Sequence, residues 1–227
     1  MNELVVKAEG LSRRYGERLA LDDVSFTLAA GQTLAVFGAN GAGKTTLLRV
    51  LATLLRPHGG ETTVFGRALP RDAWAVRGRI GVVGHDPLIY RDLTARENLT
   101  FIARLYGVPL ARVEDSLKLV KLDRRADEAV KNFSKGMLQR LAAARALLPE
   151  PELLLLDEPR ANLDPGAAEL LEPLLGKDGQ RARVIVTHDV DYGLSEADVV
   201  LGLKRGKQEW FEPKASVDAA RVKELYR

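Results

Sequence analysis

Gly38-Ala39-Asn40-Gly41-Ala42-Gly43-Lys44-Thr45 fits the pattern G-x-x-x-x-G-K-[ST] at every fixed position. The glycines let successive backbone N–H groups turn inward, which makes a concave anion site at the start of a helix. Lys44 is placed to reach the outer phosphates of a nucleotide as a point charge, the Thr45 hydroxyl to ligate Mg²⁺, and Thr46 to add a hydrogen bond to phosphate. The flanks supply the strand and helix that such a loop needs. Leu34-Ala35-Val36-Phe37 is a continuous apolar run that reads as a buried strand. Beyond the loop, Leu47, Val50, Leu51 and Leu54 recur at helical spacing, and Arg56-Pro57 is expected to stop that helix.

Outward from this point, short apolar runs alternate with longer segments of helical period, which predicts an α/β protein with a mostly parallel sheet. Ile80–Val83, Leu153–Leu156 and Val184–Val186 read as further buried strands. Val199–Leu203, a turn at Lys204–Lys207 and Gln208–Phe211 read as a terminal hairpin. Val24-Ser25-Phe26-Thr27-Leu28 alternates, so Leu4–Gly31 is expected to add an N-terminal antiparallel β layer. From about Leu93 to Leu148 the pattern is mainly helical, and Thr94-Ala95-Arg96-Glu97 is a capping box that starts one helix. Val217, Ala220 and Val222 to Leu225 are spaced for a short closing helix. The expected organisation is one domain over 1–227, a P-loop NTPase with a RecA-like core and a helical subdomain inserted at approximately 89–148.

Leu153-Leu154-Leu155-Leu156-Asp157-Glu158 is an apolar run ending in two acids. A buried strand cannot keep unpartnered carboxylates inside, so both should emerge at its C-terminal end, where open α/β sheets bind ligands. Beside a phosphate loop, Asp157 would hold Mg²⁺ through a water and Glu158 would act as general base on an attacking water. The competing reading is that the two acids merely cap the following turn. Val184-Ile185-Val186-Thr187-His188 ends another strand in a histidine at the same sheet edge, where an imidazole can donate to a γ-phosphate and orient water. His58 and His85 are too scattered to form a metal cluster with it.

Composition narrows the function classes. With no cysteines among 227 residues, disulfides, thiolate metal sites and cysteine nucleophiles are excluded. The 34 basic and 31 acidic side chains leave a net charge of +3, too even to argue for nucleic acid. No run approaches the roughly 20 apolar residues that span a bilayer, and Met1–Lys7 lacks the basic and apolar regions of a signal peptide.

Phe133-Ser134-Lys135-Gly136-Met137-Leu138-Gln139-Arg140, lying between the phosphate loop and the Asp-Glu strand, resembles the signature motif of the ATP-binding cassette (ABC) ATPases. The resemblance covers nearly the whole chain. It implies Tyr15 as the aromatic that stacks on adenine, Gly38 to Thr46 as the ATP phosphate site, Ala161-Asn162-Leu163-Asp164 as the D-loop and His188 as the switch histidine. Ser134 is equally a plausible N-cap for a helix over Gly136–Leu148, and Tyr15 an ordinary half-buried aromatic; the cap and phosphate roles of Ser134 are compatible. Two departures stand out. Lys135 and Met137 replace the commoner glycine and glutamine, and His85 stands where the family usually has a glutamine that senses Mg²⁺ and water. That histidine is either a tolerated substitution or a titratable replacement.

The same resemblance implies ATP and Mg²⁺ as ligands. It also implies a head-to-tail ATPase dimer, with each phosphate loop facing the partner copy's Ser134, Lys135, Gly136 and Met137. A polytopic membrane permease on a separate chain and a position on the cytoplasmic face of the membrane follow from it as well. Gly84–Tyr90 and Leu93–Leu99 are similar to exporter ATPases, including those for haem, and Ser134-Lys135-Gly136-Met137 resembles the broader group of exporters, multidrug ones among them, whose membrane subunits are separate chains. A soluble ABC ATPase acting on ribosomes or nucleic acid is the rival, and an unrelated P-loop kinase a more distant one.

Overall fold

The computed structural model describes residues 3–84, 86–160 and 165–227. In chain order the first elements are β1 (Leu4–Tyr15), β2 (Arg18–Ala29), β3 (Thr33–Phe37), α1 (Lys44–Leu51), β4 (Gly59–Val64), β5 (Arg67–Leu69), α2 (Ala73–Val76) and β6 (Ile80–Val83). Then come α3 (Ala95–Tyr106), α4 (Ala111–Leu119), α5 (Lys135–Leu147), β7 (Leu153–Asp157), α6 (Pro165–Leu175), β8 (Ala182–Val186), α7 (Val190–Glu196), β9 (Val199–Lys204), β10 (Lys207–Pro213) and α8 (Ala219–Glu224). They divide into two compact units. One comprises Met1–Arg77, Leu153–Glu158 and Lys177–Arg227, the other Gly78–Glu152 and Pro159–Gly176.

In the first unit the strands lie in the order β5-β4-β1-β2-β10-β9-β3-β8-β7. The half that carries β9, β3, β8 and β7 is parallel, while β1, β2, β4 and β5 pair antiparallel. Every residue of β3 and of β8 is buried, as expected for strands covered on both faces. The closing helix α8 follows its spacing: Val222 and Leu225 pack with Leu194, Val200 and Phe37, so the C-terminal segment supports the strand that leads into the phosphate loop. β4 and β5 extend the expected antiparallel layer. Only Thr62, Val64 and Leu69 of those two strands are buried, too few for their alternation to stand out in the sequence.

The helix after the phosphate loop ends sooner than expected. α1 stops at Leu51, because Thr53 adopts a left-handed φ of 62° and the Leu54 N–H reaches back to the Arg49 carbonyl at 2.9 Å. The Thr53 N–H bonds the Val50 carbonyl at 3.0 Å. This is a Schellman stop with threonine in the place glycine usually takes, so Arg56-Pro57 does not end the helix. Leu54 lies beyond it, 58% exposed.

A buried polar network fastens the other end of the parallel strands. Thr33 of β3 sits opposite Arg183 of β8, and the Arg183 guanidinium donates to the Thr33 hydroxyl at 2.9 and 3.1 Å and to Glu196 at 2.7 Å. The Thr33 N–H donates to Asp198, which also pairs with Lys177 at 2.6 Å.

The second unit is mainly helical. Leu99, Leu117, Val130, Phe133 and Leu141 form its core, against which Leu174 packs. Both halves of the capping box are made at α3, with the Glu97 N–H donating to the Thr94 hydroxyl at 3.1 Å and the Thr94 N–H to the Glu97 carboxylate at 2.8 Å. Gly107, at φ 69°, closes the same helix. The buried Asn98 amide bonds both the N–H and the C=O of Tyr90, which ties down the segment leading into α3.

Arg183→Met removes the cation from this network and leaves Glu196 without it. We expect a loss of about 3 kcal/mol in unfolding free energy, read from urea denaturation followed by circular dichroism.

Candidate active site

Parallel pairing brings the chemistry to one edge of the sheet in the first unit. Val36 lies opposite Val186, and Val186 lies opposite Asp157. The residues that follow, Gly38 after β3, Thr187-His188 after β8 and Glu158 after β7, therefore leave the sheet at the same level.

The loop from Gly38 to Gly43 is shaped for an anion. Gly43 is the N-cap of α1 at φ 109°, and no side chain caps that helix. A Cβ on Gly43 would run into the Ala20 carbonyl oxygen and come within 2.9 Å of Leu21, and one on Gly38 would run into the Leu203 carbonyl oxygen. Only glycine fits either place. The Leu47 N–H bonds Gly43 O at 2.9 Å, whereas the amides of Lys44, Thr45 and Thr46 belong to the first turn and have no carbonyl one turn back. Lys44 folds over the loop, its Nζ donating to the carbonyls of Gly38 at 2.6 Å and Ala39 at 3.1 Å. Burial pushes its ammonium below the usual lysine range, and the charges of Glu158 and Asp157 oppose that shift.

Beside the loop lies a cleft of about 420 Å³ lined by Tyr15, Arg18, Ala20, Asn40, Gly41 and residues 43–46. Tyr15 is 45% exposed. The Arg13 guanidinium sits 4.9 Å from its ring centroid, held by the Arg56 carbonyl at 2.9 Å and by His58 Nδ1 at 3.2 Å. Arg18 donates to the Gly41 carbonyl at 3.4 Å. His58 thus belongs to the support of this aromatic.

On the acidic side, the Thr45 hydroxyl donates to Asp157 Oδ2 at 3.2 Å. Glu158 sits in a left-handed conformation, φ 53°, with its N–H donating to Val186 O at 2.8 Å. Such a φ is uncommon outside glycine and here turns the carboxylate back along the sheet edge. Its Oε2 accepts from the Thr187 hydroxyl at 3.2 Å and lies 2.9 Å from His188 Nδ1. Among the described residues no group of three or more His, Cys, Asp or Glu side chains is placed to hold a metal. A hydroxyl and a carboxylate side by side suit Mg²⁺, a hard cation that keeps several waters and takes further oxygens from phosphates.

Ser134, Lys135, Gly136 and Met137 open α5 in the second unit. Ser134 is its N-cap and accepts from the Met137 N–H at 3.3 Å, while the Met137 side chain joins the helical core. His85 and Asp164 lie outside the described residues. No pattern in the sequence marks Thr187, Arg13 or Arg18 as site residues. Thr187 directly precedes the strand-end histidine, and the two arginines flank Tyr15, but only the folded geometry gives them partners.

Residues 21–161, more than half of the chain, match the family described as ABC transporter. The chain belongs to that family. It is 39% identical over 203 residues to the daunorubicin resistance ATP-binding protein DrrA3 of Streptomyces coeruleorubidus, an alignment covering 87% of this chain and 63% of that protein. It is likewise 39% identical over 171 residues to the Nod factor export ATP-binding protein I of Ralstonia nicotianae, covering 74% of this chain and 53% of the relative. The chain thus spans between about half and two-thirds of the length of these relatives. Its fold is that of an ABC ATPase domain: a dimeric ATP-binding cassette in a post-hydrolysis state, bound to ADP and Pi, superposes with a TM-score of 0.80 at 27% identity, over 92% of this chain and 98% of the other.

The packing around Gly43 leads to a direct test. Gly43→Ala is expected to lose at least tenfold in ATP affinity, because the loop must shift to accommodate the methyl against Ala20 and Leu21. Titration with a fluorescent ATP analogue reads the affinity, and circular dichroism confirms that the variant is folded.

Proposed function

We propose that this chain is the ATP-binding and ATP-hydrolysing subunit of an ABC exporter, working as a head-to-tail dimer on a separate membrane permease. The observation that carries the proposal is the pairing of Thr45 with Asp157 and of His188 with Glu158 at one sheet edge, beside a phosphate loop whose helix has no side-chain cap.

In this reading Tyr15 stacks on adenine, and the loop amides with Lys44 and Thr46 hold the phosphates. Thr45 and Asp157 would hold Mg²⁺, Asp157 through a water; the metal would neutralise phosphate charge. Glu158 takes the proton of a water that attacks the γ-phosphorus, and the bond to the β,γ-bridging oxygen breaks to give ADP and phosphate. His188 donates to a γ-phosphate oxygen, and Asp164 and His85 serve at the dimer and water-sensing positions that the family pattern gives them. Ser134 to Met137 of the partner copy complete each site. The dimeric cassette with ADP and Pi supports both the dimer and the reaction.

Export is supported by the names of the relatives, a daunorubicin resistance protein and a Nod factor export protein, which favour drug-like or other small cargo over haem. No helix among the described residues is long and apolar enough to cross a membrane. The permease partner is supported by an exposed surface. In the second unit Tyr90, Phe101, Leu105 and Tyr106 are 40–60% exposed, with Tyr90 and Phe101 in edge-to-face contact, an apolar surface suited to a protein partner. The chain would then work as a single domain on the cytoplasmic face of the membrane.

Glu158→Gln removes the base and keeps the shape. Turnover should fall at least a hundredfold, while ATP binding persists and an ATP-bound dimer accumulates in size-exclusion chromatography; a wild-type rate would overturn the base assignment. Chelation of Mg²⁺ by EDTA should abolish hydrolysis in the wild type, and affinity purification from detergent-solubilised membranes should bring down a polytopic partner.

A further inference from the structure

Two donors converge on one oxygen of Glu158, and they differ in freedom. His188 presents Nδ1 at 2.9 Å, yet its side chain is 74% exposed. Thr187 donates its hydroxyl proton to the same Oε2 at 3.2 Å and is 3% exposed. Its hydroxyl oxygen also accepts from the Asp189 N–H at 3.1 Å, so the hydroxyl cannot spin freely and its single proton stays directed at Glu158. Its methyl lies close over α7, where a Cβ on Gly193 would come within 2.9 Å of it. Asp189, in turn, is the N-cap of α7, accepting from the Tyr192 N–H at 3.0 Å. An unbroken chain of hydrogen bonds therefore runs from the start of a helix, through a buried hydroxyl, to the carboxylate.

We propose that Thr187 is a positioning residue for ATP hydrolysis, holding the Glu158 carboxylate toward the attacking water while the exposed His188 follows the γ-phosphate. This rests on the reading of Glu158 as general base. Glu158 follows the last residue of its strand in a left-handed conformation, φ 53°, so the direction of its carboxylate depends on the groups that bond it, and both of these meet it at Oε2. An imidazole with three-quarters of its surface in solvent, free to turn toward phosphate, gives no fixed reference. A hydroxyl locked by α7 does, and misplacement of a catalytic group by about 1 Å costs on the order of a hundredfold in rate.

The test compares steady-state ATPase activity and ATP binding in Thr187→Val, Thr187→Ser and Glu158→Gln. Valine keeps the volume and removes the donor. We expect kcat to fall about tenfold or more in Thr187→Val, with KM and ATP affinity within about twofold of wild type, and Thr187→Ser to stay within about threefold in kcat. Should valine not fold at this position, Thr187→Ala reads the same loss of the donor. A wild-type kcat without the hydroxyl, a loss confined to KM, or a serine variant as slow as the valine one would each overturn the proposal. The Glu158→Gln arm separates the two readings: a fully active glutamine variant sinks the base assignment and this inference with it, whereas an inactive one beside a normal Thr187→Val sinks this inference alone.

Discussion

Val36, Val186 and Asp157 lie abreast across three parallel strands, and the level at which Gly38, Glu158 and His188 leave the sheet follows from that alignment. Nothing in the apolar side chains fixes it strongly. β3 and β8 are buried throughout, so a shift of one residue would exchange one aliphatic contact for another, unlike a half-exposed strand in which it would turn the apolar face to water. The polar ends have to set the register. At one end Arg183 must meet Thr33 and Glu196, since a buried guanidinium without its partners costs several kcal/mol. At the other, Asp157 has to clear the core to reach Thr45. The ion-pair network and the candidate site are two ends of the same constraint.

At the site edge the charges of the described residues are laid out to receive a ligand. One lysine faces two carboxylates, Asp157 and Glu158, and spends its hydrogen bonds on the carbonyls of Gly38 and Ala39. Two of its three N–H donors are thus engaged, which leaves one for a ligand. The first-turn amides of α1 supply the remaining positive potential. A triphosphate with a divalent cation matches this layout because it brings negative charge to the amides and Lys44 and positive charge to Thr45 and Asp157. A bare anion would bring its charge against the two carboxylates as well.

Much of this could be read from the chain before folding, because the chemistry is local. The loop is eight consecutive residues, the acids end a leucine run, and the capping box of α3 is four residues long; each forms where its pattern lies. The rest is non-local or atypical. Helix α1 stops through Thr53 in a conformation that glycine normally supplies, so the proline three residues beyond Leu54 looked like the stop. β4 and β5 carry few buried side chains and are strands because β1 pairs with β4 and β4 with β5. Nothing local marks Thr187 beside a histidine, because its partner is a carboxylate 29 positions away. Arg13 backs Tyr15 only because the chain returns at Arg56 and His58 to hold it.

The departures from the usual signature sequence become intelligible in the same physical terms. Met137 turns into the helical core with Phe133 and Leu141, so its replacement of a polar residue is absorbed by packing and removes only a side chain. Its N–H is engaged by Ser134, whose hydroxyl accepts that bond and still has its own proton to give. Lys135 is exposed in the first turn of α5, where a cation is unfavourable to the helix itself, since the amides there already carry partial positive charge. A phosphate arriving at this end would meet the Ser134 proton, the first-turn amides and the Lys135 ammonium together, and would relieve that repulsion. The lysine that replaces glycine thus weakens the isolated helix slightly and strengthens its attraction for an anion, the trade expected under the proposal that this end meets the phosphates held by a second copy.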